Sequence, residues 1–214
     1  MPTPEAVERH PHLGEACPEG WVRVDFHSHT MWSGDSTTTP EELVECVGAS
    51  GIDVLCVTDH NAIKGAEALV EQLPCRVVIG EELKTHAGEI IGLFLNERIP
   101  QGIRPEEAAQ NIRDQGGIVY IPHPFDPLRN NLREDVLDQL VEASLVDGIE
   151  VINGKTSLQS LNRRAYTYAQ ENDLAIGAGS DAHVAEAICA AYMEMPAFET
   201  PQEFLAAMRL GQPV

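Results

Sequence analysis

The chain is poor in basic residues. It contains 14 lysines and arginines against 34 aspartates and glutamates, so its formal net charge is −20 at pH 7. A surface of that sign repels nucleic-acid backbones and anionic membranes over most of its area. The composition therefore argues against stable binding to nucleic acid or to a membrane. It does not exclude a phosphorylated substrate, because bound metal ions make the electrostatic potential locally positive.

Paired cysteines and long apolar runs are also missing. The five cysteines are an odd number without a Cys-x-x-Cys pair, which argues against a disulfide framework and a zinc ribbon. No apolar run is long enough to span a membrane, and the first residues do not have the pattern of a signal peptide. These features predict a protein of the reducing cytoplasm. Proline-rich residues 1–20 are expected to form an irregular N-terminal extension, and residues 21–214 to form one domain.

Short apolar runs alternate with amphipathic segments after residue 20. Their length and their valine and isoleucine content are typical of buried parallel strands. The runs span 21–26, 52–57, 76–80, 89–95, 118–121, 148–152 and 174–178. The run at 89–95 follows its predecessor too closely for a helical crossover, so we predict an antiparallel pair there. The alternation as a whole predicts an α/β fold built on a parallel sheet or barrel.

Histidines cluster just after these runs. His27 and His29 follow the first run, His60 the second, His123 the fifth and His183 the seventh. In a parallel α/β fold the carboxyl ends of the strands converge on one face, which carries the active site. Imidazoles and carboxylates bind zinc, manganese and iron. The sequence therefore predicts a metal centre on that face.

The spacing of the candidate ligands supports a shared site. Residues two apart on a strand point the same way, so His27 and His29 can bind one ion. Asp181 and His183 have the same spacing after the seventh run. We expect Glu81, at the end of the third run, to bridge two ions. Two dications about 3.5–4 Å apart can position a hydroxide and an anionic ester for in-line attack.

In this order the motifs resemble those of the PHP (polymerase and histidinol phosphatase) superfamily of metal-dependent phosphoesterases. The resemblance extends from Val22 to Met195. Its motifs are His27-Ser-His29-Thr, Ser33-Gly-Asp35, Thr58-Asp-His60-Asn, Gly80-Glu81, His123-Pro and Gly179-Ser-Asp181-Ala-His183. It implies a distorted (β/α)7 TIM-like barrel with a metal site at the C-terminal ends of the strands.

The resemblance also implies two or three divalent ions of manganese, iron or zinc. The first would be held by His27, His29, Glu81 and Asp181. The second would be shared by Glu81 and His123, and the third would be held by Asp35, His60 and His183. Asp59 would orient His60 or its neighbours.

Two positions depart from the family pattern. Many members carry a histidine beyond the bridging glutamate, where this chain has Glu89. Glu89 could replace it as an oxygen ligand, the second ion could bind more weakly, or His86 in the adjoining loop could reach the site. For His86, an exposed loop histidine is the simpler interpretation. The order Ser33-Gly34-Asp35 replaces the more usual Ser-Asp-Gly and shifts the aspartate by one residue.

The same residues lead to a functional hypothesis. Arg129 and Lys155 follow the fifth and sixth runs and are candidate phosphate-binding residues, although either could be a solvated loop charge. His183, Asp59 or metal-bound water could protonate the leaving group. We expect a phosphatase that hydrolyses a small phosphorylated metabolite or nucleotide through a metal-activated hydroxide. The alternatives are a 5′-3′ oligonucleotide exonuclease of the same family, an amidohydrolase-like enzyme and a non-catalytic metal-binding module.

Overall fold

The computed structural model describes residues 16–214, so most of the extension expected over residues 1–20 lies outside the described residues. The described part alternates strands with helices. The strands are β1 (Trp21–Ser28), β2 (Val54–Val57), β3 (Arg76–Thr85), β4 (Gly88–Leu93), β5 (Ile118–Ile121), β6 (Gly148–Asn153), β7 (Ala175–Gly179), β8 (Met193–Pro196) and β9 (Gln212–Pro213). The helices are α1 (Pro40–Ser50), α2 (Lys64–Leu69), α3 (Pro105–Asp114), α4 (Glu134–Glu142), α5 (Gln159–Glu171) and α6 (Pro201–Met208).

All these strands form one sheet that nearly closes into a barrel. Its order is β7-β6-β5-β4-β3-β2-β1-β8-β9. The strands β1, β2 and β3 pair in parallel, as do β5, β6 and β7, whereas β4 is antiparallel to both neighbours. Near the end of β7 the Asp181 N–H donates to the His27 C=O at 2.7 Å, which brings the chain back to β1. The predicted α/β barrel-like fold and the antiparallel pair are therefore confirmed.

Alternation along the strands divides the core into an inner and an outer part. The inner cluster contains Val24, Phe26, Cys56, Val78 and Tyr120, together with Phe204 and Met208 of α6. Two outer clusters pack the other strand faces against helices α1 to α5. Met208 approaches Gly148 at the start of β6, so α6 closes the amino-terminal end of the barrel. The opposite end remains available for the histidine-rich loops.

Local sequence signals set several helix boundaries. Thr39 caps α1 in a capping box with Glu42, and Thr200 caps α6 in the same way with Glu203. Gly51 ends α1 in the left-handed conformation. Within the described residues, no helix is both long and apolar enough to cross a membrane.

Candidate metal centre

The loop ends of β1 and β7 place three predicted ligands side by side. The Nε2 atoms of His27 and His29 lie 3.0 Å apart, and both side chains are fully buried. Asp181 Oδ1 lies 3.8 Å from His27 Nε2 and 3.5 Å from His29 Nε2. These atoms form the first part of a ligand cluster inside the mouth of the barrel.

The structure brings Glu82, rather than the predicted Glu81, among the candidate ligands. Glu82 Oε2 lies 3.2–3.3 Å from nitrogen atoms of His27, His29 and His60, and its Oε1 lies 2.9 Å from His123 Nε2. Glu81 points to the other side of β3, because successive residues on a strand face opposite sides. Its Oε2 accepts a hydrogen bond from the Ile99 N–H at 3.0 Å.

A second group forms at the solvent-facing side of the cluster. Asp35 Oδ2 lies 3.2 Å from His60 Nε2 and 3.6 Å from His183 Nε2. Together with His29, these residues offer one ligand atom each within a mutual distance of 4.8 Å. The aspartate shifted by one residue therefore still reaches the position expected for a third ion.

Glu89 and His86 have different surroundings. Glu89 lies 3.8 Å from both His60 Nδ1 and His123 Nε2, and it shares a candidate ligand group with His60 and Glu82. His86 is exposed, and its Nδ1 lies 3.0 Å from the Ile103 C=O. The structure thus places Glu89 beside the second ion's expected position and His86 outside the cluster.

The hydrogen-bonding pattern fits a bound cation. His27 Nδ1 faces Glu150 at 3.2 Å, and His29 Nδ1 faces the Ser33 hydroxyl at 2.8 Å. When both rings are neutral and both Nδ1 atoms donate to these oxygens, the two Nε2 atoms, 3.0 Å apart, direct their lone pairs into the same space, as two ligands of one cation do. The buried His60 Nδ1 lies 3.2 Å from Glu82 Oε2 but makes no contact with hydrogen-bond geometry among the described residues.

Burial and charge tune the ligands in opposite directions. Burial lowers the pKa of His29 to about 4, which leaves its imidazole neutral as a metal ligand must be. Burial opposes the charge on Glu82, but His27 and the hydrogen bonds from neighbouring histidines outweigh it and hold the pKa of this carboxyl well below its ordinary value. The centre therefore keeps an ionised carboxylate surrounded by imidazoles.

Asp59 supports the centre from outside the cleft. Its carboxylate accepts hydrogen bonds from the N–H and hydroxyl of Thr30 at 2.6 and 2.7 Å. Thr30 directly follows His29, and the Ser33 hydroxyl that faces His29 also accepts a hydrogen bond from the His60 N–H at 2.9 Å. This placement agrees with an orienting role for Asp59, because the side chain is fully buried and does not line the cleft.

Two basic side chains line the cleft beside the cluster. The cleft has a volume of about 240 Å³ and contains Arg129 and Lys155 in its wall. Arg129 Nη2 lies 2.9 Å from Asp181 Oδ2, and Lys155 Nζ lies 3.0 Å from His183 Nδ1. Both candidate phosphate-binding residues thus lie on the expected face and next to candidate ligands.

Strained backbone marks the loops that carry the ligands. Asn61, His123 and Asp181 have φ values of 52°, 29° and 50°, a region that non-glycine residues rarely adopt. Such conformations cost about 1–3 kcal/mol each and persist where surrounding contacts fix them. Two of the three, His123 and Asp181, are themselves candidate ligands.

Sequence reasoning missed Glu82, Glu150 and Asn153. Glu150 is a buried carboxylate in the middle of β6 and faces His27, while Asn153 lies 3.2 Å from Asp181. The available signal was a single charge inside an apolar run, followed by an amide at the strand end. For Glu82 the signal was its position along the strand. Glu82 lies four residues after Val78, whose side chain points into the barrel, so the alternation of side chains puts both on the same face.

Comparisons with known proteins return related sequences and a related fold. Residues 159–213 match a family model described as PHP-associated. An uncharacterised protein of Methanocaldococcus jannaschii is 39% identical over 145 residues, which cover 62% of this chain and 82% of that protein. A probable phosphatase of Acetivibrio thermocellus is 39% identical over 56 residues, covering 26% of this chain and 23% of that protein.

A solved structure shares the fold. It is a two-domain protein from Bacteroides vulgatus that contains a predicted PHP-like metal-dependent phosphoesterase. The two chains are 20% identical and superpose with a TM-score of 0.73, over 93% of this chain and 67% of the other. At that identity the likeness concerns the architecture of the barrel.

Proposed function

The chain belongs to the PHP superfamily of metal-dependent phosphoesterases, and from that premise we propose that it is a phosphatase acting on a small phosphorylated metabolite or nucleotide. The observation that carries the proposal is a small cleft lined by the candidate ligands together with Arg129 and Lys155. Its volume of about 240 Å³ is below the range of about 300–1,000 Å³ typical of pockets for drug-sized ligands. A compact phosphomonoester suits that space better than an oligonucleotide does.

The proposed ligands divide into an inner and an outer set. The inner set, for two ions, contains His27, His29, Glu82, Glu89, His123 and Asp181. The outer set, for a third ion, contains Asp35, His60 and His183. Divalent ions in such a centre neutralise charge on phosphoryl oxygens and activate water for attack.

The basic residues would bind the phosphoryl group. Arg129 presents a planar guanidinium, which can bind two oxygens at once, and Lys155 adds a compact positive charge. His183 Nδ1 lies 2.9 Å from the Asp181 C=O, and donation there leaves Nε2 free to bind metal with Asp35. Because Asp59 is enclosed and His183 acts as a ligand, we assign leaving-group protonation to water in the cleft.

Phosphate release from the purified chain tests this proposal. The protein would be loaded with Mn²⁺, Fe²⁺ or Zn²⁺ and assayed on a panel of phosphomonoesters, mononucleotides and a 5′-phosphorylated oligonucleotide. We expect metal-dependent phosphate release with a kcat/KM at least about tenfold higher on a monoester than on the oligonucleotide. Preferred release of mononucleotides from the oligonucleotide would contradict the proposed substrate class.

A cleft variant makes the test specific to this site. Lys155→Met should raise KM for the best monoester while leaving the metal content unchanged, because an ammonium group has no lone pair with which to bind a metal ion. Hydrolysis of amides without any phosphate release at full metal occupancy would overturn the phosphatase assignment.

A further inference from the structure

A buried carboxylate behind the ligand cluster contacts it from outside. Glu150 lies inside β6, its side chain is fully enclosed, and it belongs to none of the candidate ligand groups among the described residues. Its Oε1 lies 3.2 Å from His27 Nδ1, the ring nitrogen opposite the one that faces the cluster. Its Oε2 accepts hydrogen bonds from the His123 N–H at 2.6 Å and from Asn153 Nδ2 at 2.9 Å.

These contacts connect one side chain with three candidate ligands, which lie on β1 or just after β5 and β7. Asn153 Nδ2 also lies 3.2 Å from Asp181 Oδ2, so the network extends from β6 to the loop after β7. His27 lies on β1, and His123 follows β5. Glu150 therefore contacts His27 and His123 directly and reaches Asp181 through one amide.

Each contact fixes a different property of a ligand. A carboxylate that accepts the Nδ1 proton of His27 sets the tautomer in which Nε2 presents its lone pair to the cluster. The hydrogen bond that the His123 N–H donates to Glu150 stabilises the backbone conformation of His123, whose φ is 29°. The Asn153 amide fixes the direction of one Asp181 oxygen.

The surrounding strands are shaped to admit this carboxylate. A Cβ atom at Gly179 would lie 2.9 Å from Glu150 Oε1 and 2.5 Å from His27 Cβ. Only glycine therefore allows β7 to approach β1 and β6 this closely. The space that a side chain of residue 179 would fill is the space that the Glu150–His27 contact occupies.

We infer that Glu150, assisted by Asn153, is a positioning residue that sets the metal affinity of the inner site without binding metal itself. The inference rests on the proposed metal-dependent function. Replacement of residues that orient metal ligands typically weakens metal binding by about 10–100-fold. Glu150→Gln keeps the size of the side chain but can accept through only one oxygen, so one of the two hydrogen bonds from His27 and His123 is lost.

The test measures metal binding by the full chain rather than turnover. Mn²⁺ and Zn²⁺ dissociation constants would be determined by competition with a chelator, and the visible absorption spectrum of the Co²⁺-loaded protein would be recorded. For Glu150→Gln we expect about 10–100-fold weaker binding, unchanged stoichiometry at saturating metal and an altered Co²⁺ spectrum. Wild-type affinity together with a wild-type spectrum would overturn the inference.

A matched substitution separates positioning from general destabilisation. Asp147 precedes β6 at the opposite end of the barrel, where its carboxylate contacts Arg113 and the Val119 N–H. Asp147→Asn should leave both metal affinity and the Co²⁺ spectrum unchanged. An equal loss of affinity in this variant would show that Glu150 acts only through stability and would overturn the inference.

A second variant keeps the inference testable if Glu150→Gln does not fold. Asn153→Ala should weaken metal binding by removing the amide that contacts both Glu150 and Asp181, and unchanged affinity in it would contradict the network. A wild-type chain that binds metal but releases no phosphate would refute the proposed function and leave the positioning role intact. A wild-type chain that binds no metal would refute both.

Discussion

Two adjacent glutamates in β3 differ in chemistry only through the side of the strand they face. Glu82 points into the barrel mouth, where four histidines lie within 3.3 Å of its oxygens. Glu81 points toward the loop after β4, and burial raises the pKa of its carboxyl to about 7. Replacing each by glutamine therefore compares the same chemical change inside and outside the cluster.

We expect Glu82→Gln to weaken metal binding by at least about 100-fold, because it removes the negative charge and one of the two oxygens of a ligand, rather than a group that orients one. Phosphoester hydrolysis should fall with the metal content. Glu81→Gln should retain both metal binding and phosphoester hydrolysis, since an amide oxygen can still accept the hydrogen bond from the Ile99 N–H. Elemental analysis and phosphate release check both variants. If Glu81→Gln loses metal and Glu82→Gln keeps it, the assignment of the bridging residue is reversed.

At the residue scale, the sequence predicts what is local. His27 lies at the end of β1, and His29, His60 and His123 follow strand ends, so short motifs are sufficient to locate them. Glu150 has no such motif, because its partner His27 lies 123 residues away in the chain. The choice between Glu81 and Glu82 required the inward face of β3, which the apolar run alone does not define.

Among the elements, the loops after β5 and β6 are joined by one buried side-chain contact. The Thr156 hydroxyl donates to Asp126 Oδ2 at 3.0 Å. Asp126 also accepts a hydrogen bond from the Leu128 N–H, and Arg129 follows directly. Since Lys155 adjoins Thr156, this contact sets the distance between the two basic residues of the cleft.

Thr156→Val should therefore raise KM for the phosphoester by about 2–10-fold with little change in kcat, as expected from the loss of one hydrogen bond worth about 1 kcal/mol. Thr38→Val is the matched control. Thr38 is equally buried, and its hydroxyl has no hydrogen-bond partner within the described part of the chain. Steady-state kinetics with the preferred monoester give KM and kcat for both variants and distinguish the two. An unchanged KM in Thr156→Val would mean that the contact does not position the basic residues.

At this scale the sequence identifies strands with strong apolar runs and misses those defined by their neighbours. The strands β8 and β9 are short and pair antiparallel at the edge beside β1. Trp21 of β1 pairs with Pro196 of β8, although the two residues lie near opposite ends of the domain's sequence. Helix α2 ends at Leu69, and beyond it the Gln72 and Leu73 N–H groups both donate to the Leu69 C=O.

For the whole molecule, the metal centre concentrates buried charge in a chain that already carries a net charge of −20. Glu82 and Asp181 are both buried there. A bound cation that the unfolded chain cannot hold stabilises the fold by about 2.7 kcal/mol at a free concentration of 100 Kd. For a domain of this size that corresponds to about 5–10 °C in Tm.

Removal of metal with a chelator should therefore lower Tm by about 5–10 °C, and addition of Mn²⁺ or Zn²⁺ should restore it. Differential scanning calorimetry checks the shift. Glu82→Gln is the control and should show a much smaller difference between chelated and loaded samples. An identical Tm with and without metal in the wild-type chain, at verified metal occupancy, would contradict a structural contribution of the centre.

The same stabilisation should depend on pH in a defined direction. Burial opposes protonation of His27 and His123, but neighbouring carboxylates outweigh it and raise the pKa of both above 6.5 in the metal-free fold. Their contribution to metal-free stability is complete below pH 6.5 and is lost as pH rises through the raised pKa values. The affinity for metal rises with pH, because these ligands lose the protons that compete with the metal ion. The Tm difference between loaded and chelated protein should therefore be larger at pH 8 than at pH 6, and a larger difference at pH 6 would contradict these ligand assignments.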